Sequence, residues 1–250
     1  MSQRLSVIVG LILLLVQPVA IQAHTITVAW RDKPPHQYLE NGKEKGVLLE
    51  LAHKVFADAG LSTRFVEEPA KRIWQNFANK TPNYCSFGWY KIPERESLVQ
   101  FSEVMYRDPP HTLLVASPAM EIVSKHKHLK SLLNDTRLTL ALVDGVSYGE
   151  QLDQLLVTSK NKILHVTASP MIMVRMINAN RASMLFIDRE DWHYLHSKEP
   201  ALQQVHQVDL DGMPAGLDRY IVCSKDVEPE VMTKINHALV KLVAPVKPVK

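Results

Sequence analysis

Residues 46–60 read GVLLELAHKVFADAG. Apolar side chains fall at 47, 48, 51, 52, 55, 56 and 59, the spacing of a helix that buries one face. Gly46 and Gly60 punctuate its ends, the second as a C-terminal cap. Upstream, residues 25–30 (TITVAW) alternate as a strand. Downstream, 62–66 reads as a second strand, 70–78 as a helix with Ile73, Trp74 and Phe77 on one face, and 84–89 as a third strand. Strand–helix–strand–helix–strand alternation predicts a mainly parallel sheet covered by helices.

The pattern restarts in the second half. Residues 138–143 (LTLALV) form a solid apolar run, as a strand buried on both faces should. A helix over 147–156, a strand over 163–166, a helix over 171–178 and a strand over 183–187 follow. Between the halves lies a polar segment, 117–134, containing Lys125, His126, Lys127 and His128. One more strand (220–223), an amphipathic helix (231–243) and a Pro- and Lys-rich tail (244–250) complete the chain. Two such units with a late returning segment predict an α/β protein of two Rossmann-like lobes joined by a hinge. The expected division is 24–115 for lobe 1, 116–215 for lobe 2 with hinge crossings at each end, and 216–250 returning to lobe 1. Open α/β sheets bind ligands beyond the carboxyl ends of their strands, and domain interfaces favour pockets. The loops after the strands are therefore where chemistry is expected.

Composition sets the outer limits. The 250 residues suffice for two small cores, and 46% hydrophobic and 22% charged residues are ordinary for a globular protein. A net charge of +3, with the charges scattered, argues against nucleic acid or an anionic membrane as partner. Arg4 followed by an apolar run over 5–16 and a short stretch to Ala23 reads as a secretory signal peptide over residues 1–23. The run is shorter than the roughly 20 residues that span a bilayer, and no stable membrane insertion is expected after cleavage. Export places Cys85 and Cys223 in an oxidising compartment, either as one disulfide or as two small core thiols.

Several short stretches, in order, carry a resemblance: Pro34-Pro35-His36-Gln37-Tyr38, the Gly46 helix, Pro69-Ala70-Lys71-Arg72, Ile92-Pro93-Glu94-Arg95, Phe101-Ser102, Gly145-Val146-Ser147-Tyr148, and Asn180-Arg181-Ala182-Ser183 leading into Asp188. In this order and spacing the chain resembles the type 2 periplasmic solute-binding proteins, family 3, which includes the polar-amino-acid binders of ABC transporters. The resemblance implies a periplasmic protein, monomeric and without a cofactor. It would capture a small polar solute, an amino acid or similar carboxylate-bearing molecule, by hinge closure and deliver it to an ABC permease.

The resemblance also implies site residues. Arg95 would grip the ligand carboxylate, a task that suits its planar fork; the alternative is a surface pair with Glu94 or Glu96. Asp188, the first polar residue beyond the strand 184–187, would accept the ligand ammonium; alternatively it caps the helix that follows. Ser147 would add a hydroxyl at a helix start. Tyr38, Trp30, Trp89 and Tyr148 supply rings at strand ends, for the ligand or for packing. His36 stands where a Phe or Tyr is common in the family. Arg72 either faces the cleft or pairs with Glu67 or Glu68. In the family the returning strand lies beside the third strand, which implies that Cys85 and Cys223 are neighbours.

Other chemistries find little support. His126 with His128, and His193 with His196, lack the Cys or carboxylate partners that close a metal site. A mature N-terminal His24 would have no second His, and Asp209-Leu210-Asp211-Gly212 lacks the later ligands of a calcium loop. No nucleophile or phosphate-loop motif is present. An enzyme of the dehydratase kind, with Glu67, Glu68 or Asp188 as acid or base, or a ligand-sensing module, remains as the alternative by analogy of fold.

Overall fold

In the computed structural model, residues 25–243 are described. The expected signal peptide, His24 and the tail from 244 lie outside them. The first half runs β1 (Ile26–Trp30), a hairpin of β2 (Tyr38–Glu40) and β3 (Lys43–Lys45), α1 (Val47–Asp58), β4 (Thr63–Glu67), α2 (Ala70–Ala78), β5 (Tyr84–Tyr90), the single turn α3 (Pro93–Glu96) and β6 (Val99–Arg107). The second half runs β7 (Thr112–Ala116), α4 (Met120–Val123), α5 (Leu129–Leu133), β8 (Thr139–Val143), α6 (Glu150–Val157), β9 (Lys162–Val166), α7 (Pro170–Asn178), β10 (Met184–Ile187), α8 (Arg189–Lys198) and β11 (Val205–Val208). The chain then returns through β12 (Asp218–Ser224) and ends on α9 (Pro229–Leu242).

Two five-stranded sheets result, ordered β4-β1-β5-β12-β6 and β11-β7-β10-β8-β9. In each, four strands run the same way and one runs against them: β12 is antiparallel to β5 and β6, and β7 to β10 and β11. Each strand of the first sheet splits its side chains between two cores. Val28 and Trp30 pack with Leu48, Phe56, Ile235 and Leu239 of α1 and α9, whereas Ala29 packs with Ile73 and Phe77 of α2. The second sheet divides likewise. Leu113, Leu140 and Phe186 face Leu129, Leu132 and Leu152, and Leu114, Ala141 and Leu185 face Met173, Val174 and Ile177.

Four details depart from the sequence reading. β7 belongs to the second sheet, because all five of its residues are buried and pair with β10 and β11. The first crossing therefore falls at 108–111 rather than at 115, and the return crossing spans 209–217. The polar segment 117–134 folds into α4 and α5, whose Val123, Leu129 and Leu132 fill the second core. The helix expected from 147 starts at Glu150, after Gly149 at φ 93°.

Close backbone approaches fix the loops near the lobe boundary. A Cβ on Gly46 would lie 2.3 Å from the His36 carbonyl oxygen, which instead accepts from the amide of Leu48 at 2.9 Å. The start of α1 thus pins the loop after β1. A Cβ on Gly216 would lie 1.5 Å from the Asp108 carbonyl oxygen, so only glycine lets the two crossings run side by side. Cys85 and Cys223 are opposed on β5 and β12 and joined by a disulfide, their Cα atoms 4.0 Å apart.

Candidate functional site

The carboxyl ends of β1 and β5 carry a wall of guanidinium and indole groups. Arg31, immediately after β1, lies with its Cζ 4.3 Å from the Trp89 ring centroid. Arg95, on α3, lies 4.6 Å from Trp74 and 5.2 Å from Trp89, and its Nη1 donates to the Tyr90 carbonyl at 2.9 Å. Trp74 meets Trp89 edge-on at 5.0 Å, and Trp89 Nε1 donates to Ser86 Oγ at 2.7 Å. Among the described residues neither Arg31 nor Arg95 forms an ion pair with an acid. Arg31 Nε and Trp74 Nε1 are buried without a hydrogen-bond partner. Burial, with Arg219 and Arg95 nearby, lowers the Arg31 pKa to about 10, and burial lowers that of Arg95. Two cations without a directly paired anion are costly to bury, and an incoming carboxylate would relieve that cost.

Across the lobe boundary, the start of α8 presents Asp188, Glu190 and Asp191. The first lobe answers with Lys33, His36, Tyr106 and Arg219. Lys33 Nζ donates to Asp191 Oδ2 and lies 3.9 Å from Asp188. Asp188 also lies 3.8 Å from Arg219 and 3.1 Å from Nε2 of His111 in the first crossing. The Tyr106 hydroxyl donates to Glu190. His36 is fully buried between Glu190 and Asp191, its nitrogens 3.6 and 3.7 Å from their oxygens and hydrogen-bonded to nothing.

Beneath this seam Arg219 is 1% exposed. Its Nε donates to Asp108 at 2.6 Å, its Nη1 to the Gly88 carbonyl at 3.2 Å and its Nη2 to the Tyr90 hydroxyl at 2.7 Å. The Tyr90 hydroxyl in turn donates to Asp108. Burial opposes the charge on Arg219, but Tyr90 and Asp108 outweigh it and raise its pKa. Burial likewise opposes the Asp188 carboxylate, yet His111, Lys33 and Arg219 together hold its pKa well below the usual range. Burial pushes Asp191 up to about 6, with Asp188 adding to the push and Lys33 opposing it. Burial, then Arg219 and Lys33, press His36 down to about 3.

The residues singled out in the sequence are thus distributed unevenly. Arg95 and Trp89 share the first wall, and neither Glu94 nor Glu96 pairs with Arg95. Asp188 and His36 lie in the interlobe seam. Asp188 occupies the N-cap position of α8 but its side chain makes no capping bond. Tyr38 packs edge-on against Tyr194 of α8 at 5.6 Å. Trp30 is a core residue, 2% exposed. Ser147 precedes α6 and donates to Asp153 at 2.5 Å, so it does not open that helix. The buried Tyr148 hydroxyl accepts from the amide of Val143 at 3.0 Å. Arg72 is exposed on α2 and pairs with neither Glu67 nor Glu68.

The sequence reading passed over Arg31, Lys33, Asp108, Glu190, Asp191 and Arg219. Arg31 and Lys33 were accessible to it, since they stand just beyond the carboxyl end of β1. His36 with Asp188 and Asp191, and His36 with Asp108 and Glu190, bring metal-ligand atoms within 4.8 Å of one another. Lys33 and Arg219 already supply cations to the three aspartates, which makes the group an ion-pair network. A groove of about 490 Å³ between α6 and the return crossing, lined by Gln151, Gln154, Leu155 and 212–215, holds no charged side chain and none of these residues.

A two-sheet α/β protein with facing, oppositely furnished walls at its lobe boundary is a two-lobed binding protein in design. Residues 26–245 match the bacterial extracellular solute-binding proteins, family 3, and the chain belongs to that family. No curated protein matches it. Among solved structures it is similar to an ancestral arginine-binding protein bound to arginine, at 20% identity over 87% of this chain and 91% of that one, with a TM-score of 0.61. It is similar as well to the arginine-, lysine-, histidine-binding protein ArtJ from Geobacillus stearothermophilus, at 16% identity over 88% and 90%, TM-score 0.62. A third is substrate-binding domain 2 of Lactococcus lactis GlnP in an open conformation, at 15% identity over 87% and 89%, TM-score 0.64. At these identities the likeness is one of fold.

Proposed function

We propose that this family 3 solute-binding protein captures a small carboxylate-bearing solute, an amino acid or a close relative, by closing its two lobes. One observation carries the reading. Arg31 and Arg95 stand at the carboxyl ends of parallel strands, braced on Trp89 and Trp74, and have no acidic partner. A guanidinium fork matches a carboxylate in shape and charge. Asp188 stands at the edge of the second lobe, with Tyr38 and His36 at the boundary and Ser147 and Tyr148 on the loop before α6. A solute held by both lobes favours the closed state, because only that state satisfies both of its ends. The arginine-binding and the arginine-, lysine-, histidine-binding proteins of the same fold support the amino-acid class.

On this reading the lobes divide at the crossings 108–111 and 209–217. The protein is exported to the periplasm after loss of residues 1–23, works as a monomer, passes its solute to an ABC permease, and returns that solute unchanged. Native mass spectrometry of freshly purified protein, followed by denaturation and identification of the released molecule, tests the proposal. A carboxylate-bearing solute released intact is the expected result. A solute without a carboxylate, or a chemically altered one, would overturn it.

A further inference from the structure

We infer that the bound solute carries no ammonium group, because the protein's own Lys33 fills the place an ammonium would take. The inference rests on the carboxylate reading above and narrows it. Both aspartates on the far wall already face cations. Asp188 has His111 on one oxygen, and Arg219 and Lys33 within 4 Å of the other. Asp191 Oδ2 takes the Lys33 ammonium, and Glu190 takes the Tyr106 hydroxyl. The near wall is the reverse, with neither Arg31 nor Arg95 in an ion pair among the described residues.

An α-amino acid placed with its carboxylate on Arg31 and Arg95 would turn its ammonium toward Lys33 and Arg219. Like charges brought together at a buried contact are strongly unfavourable. Buried at the seam without a hydrogen-bond partner are Asp191 Oδ1 and both ring nitrogens of His36. A carboxylate can accept, and a neutral imidazole can donate or accept. Such a set suits a hydroxyl. The class of solute that fits both walls is a carboxylic acid with a hydroxyl, or nothing, where an amino acid has its ammonium.

Calorimetry with matched pairs tests this: L-alanine against L-lactate, L-aspartate against L-malate, L-glutamate against L-2-hydroxyglutarate, and L-phenylalanine against L-phenyllactate. The solute recovered from the purified protein is tested beside its amino or hydroxy counterpart. In the pair that binds, the hydroxy acid should bind at least roughly tenfold more tightly. Lys33→Met should bring that ratio to within about threefold, while Lys33→Arg, which keeps the cation, should retain most of it. An amino acid that binds the parent protein as tightly as its hydroxy partner overturns the inference and leaves the carboxylate reading intact. An unchanged ratio in a folded Lys33→Met protein also overturns it. A recovered solute with no carboxylate removes the reading and the inference together.

Discussion

Two arginine sites at one edge of the first sheet are built from similar residues and are left in opposite states. On the near wall, Arg31 and Arg95 lean on indole rings and meet no acid. Beneath the seam in the same lobe, Arg219 is enclosed by Asp108, Tyr90 and a backbone carbonyl, with Asp188 close by. Burial acts on all three guanidinium groups. It lowers the pKa where no partner offsets it and is overcome where Tyr90 and Asp108 do. A satisfied buried charge supports the fold, whereas an unsatisfied one waits for something from outside. Position alone does not separate the two, because all three stand near strand ends of one sheet.

The comparison breaks most sharply on Arg219. Arg219→Met should destabilise the protein by about 3–5 kcal/mol in urea unfolding, since it strands the buried Asp108. Arg95→Ala should do the opposite. Its stability should change by no more than about 1–2 kcal/mol, the worth of a partly buried cation–π contact. Binding of the recovered solute should fall at least roughly thirtyfold by calorimetry, as expected when one partner of a desolvated charged contact is removed. Normal folding with undiminished binding would sink the carboxylate clamp.

A smaller effect should come from His36. Its pKa is about 3 in the folded protein and 6.5 as reference, so the unfolded chain takes up the proton first as pH falls. The stability that His36 contributes is complete above about pH 6.5 and is lost progressively between there and pH 3. His36→Gln should flatten the fall in melting temperature between pH 6.5 and 4, by a difference on the order of 1 kcal/mol or 2–4 °C. An identical slope in both proteins would count against this account. Smallest of all, Arg72→Ala should leave stability within about 0.5 kcal/mol and binding unchanged, because the side chain is exposed and unpaired.

Local periodicity made much of this architecture legible. The α2 helix follows its sequence pattern over 70–78, and α1, β5, β8 and β10 lie within a residue or so of theirs, because each buries a continuous stripe or face. The strands β6, β7 and β11 were not legible. β6 breaks register against β12 near Tyr220 and alternates poorly, and β11 has only four residues, with one of them buried. The polar segment 117–134 hid two short helices, whose few apolar residues are aimed at the core. At the site, Arg95 and Asp188 were visible as polar residues at strand ends. Whether either has a partner was not visible, since that depends on long-range contacts. Arg219 and Asp108 are 111 residues apart, and Lys33 and Asp191 are 158 apart. No spacing rule reaches that far.

The Cys85–Cys223 bond spans 138 residues, and this loop encloses both crossings and the whole second sheet. A protease that hydrolyses one peptide bond anywhere between 86 and 222 therefore produces two pieces that remain one covalent molecule. Neither crossing, 108–111 or 209–217, is a point at which a single cut could shed the second lobe. Such a bond persists in an oxidising space, and there a nicked molecule would still keep the near wall and the far wall in the same particle. The nick would become visible as fragments only after reduction.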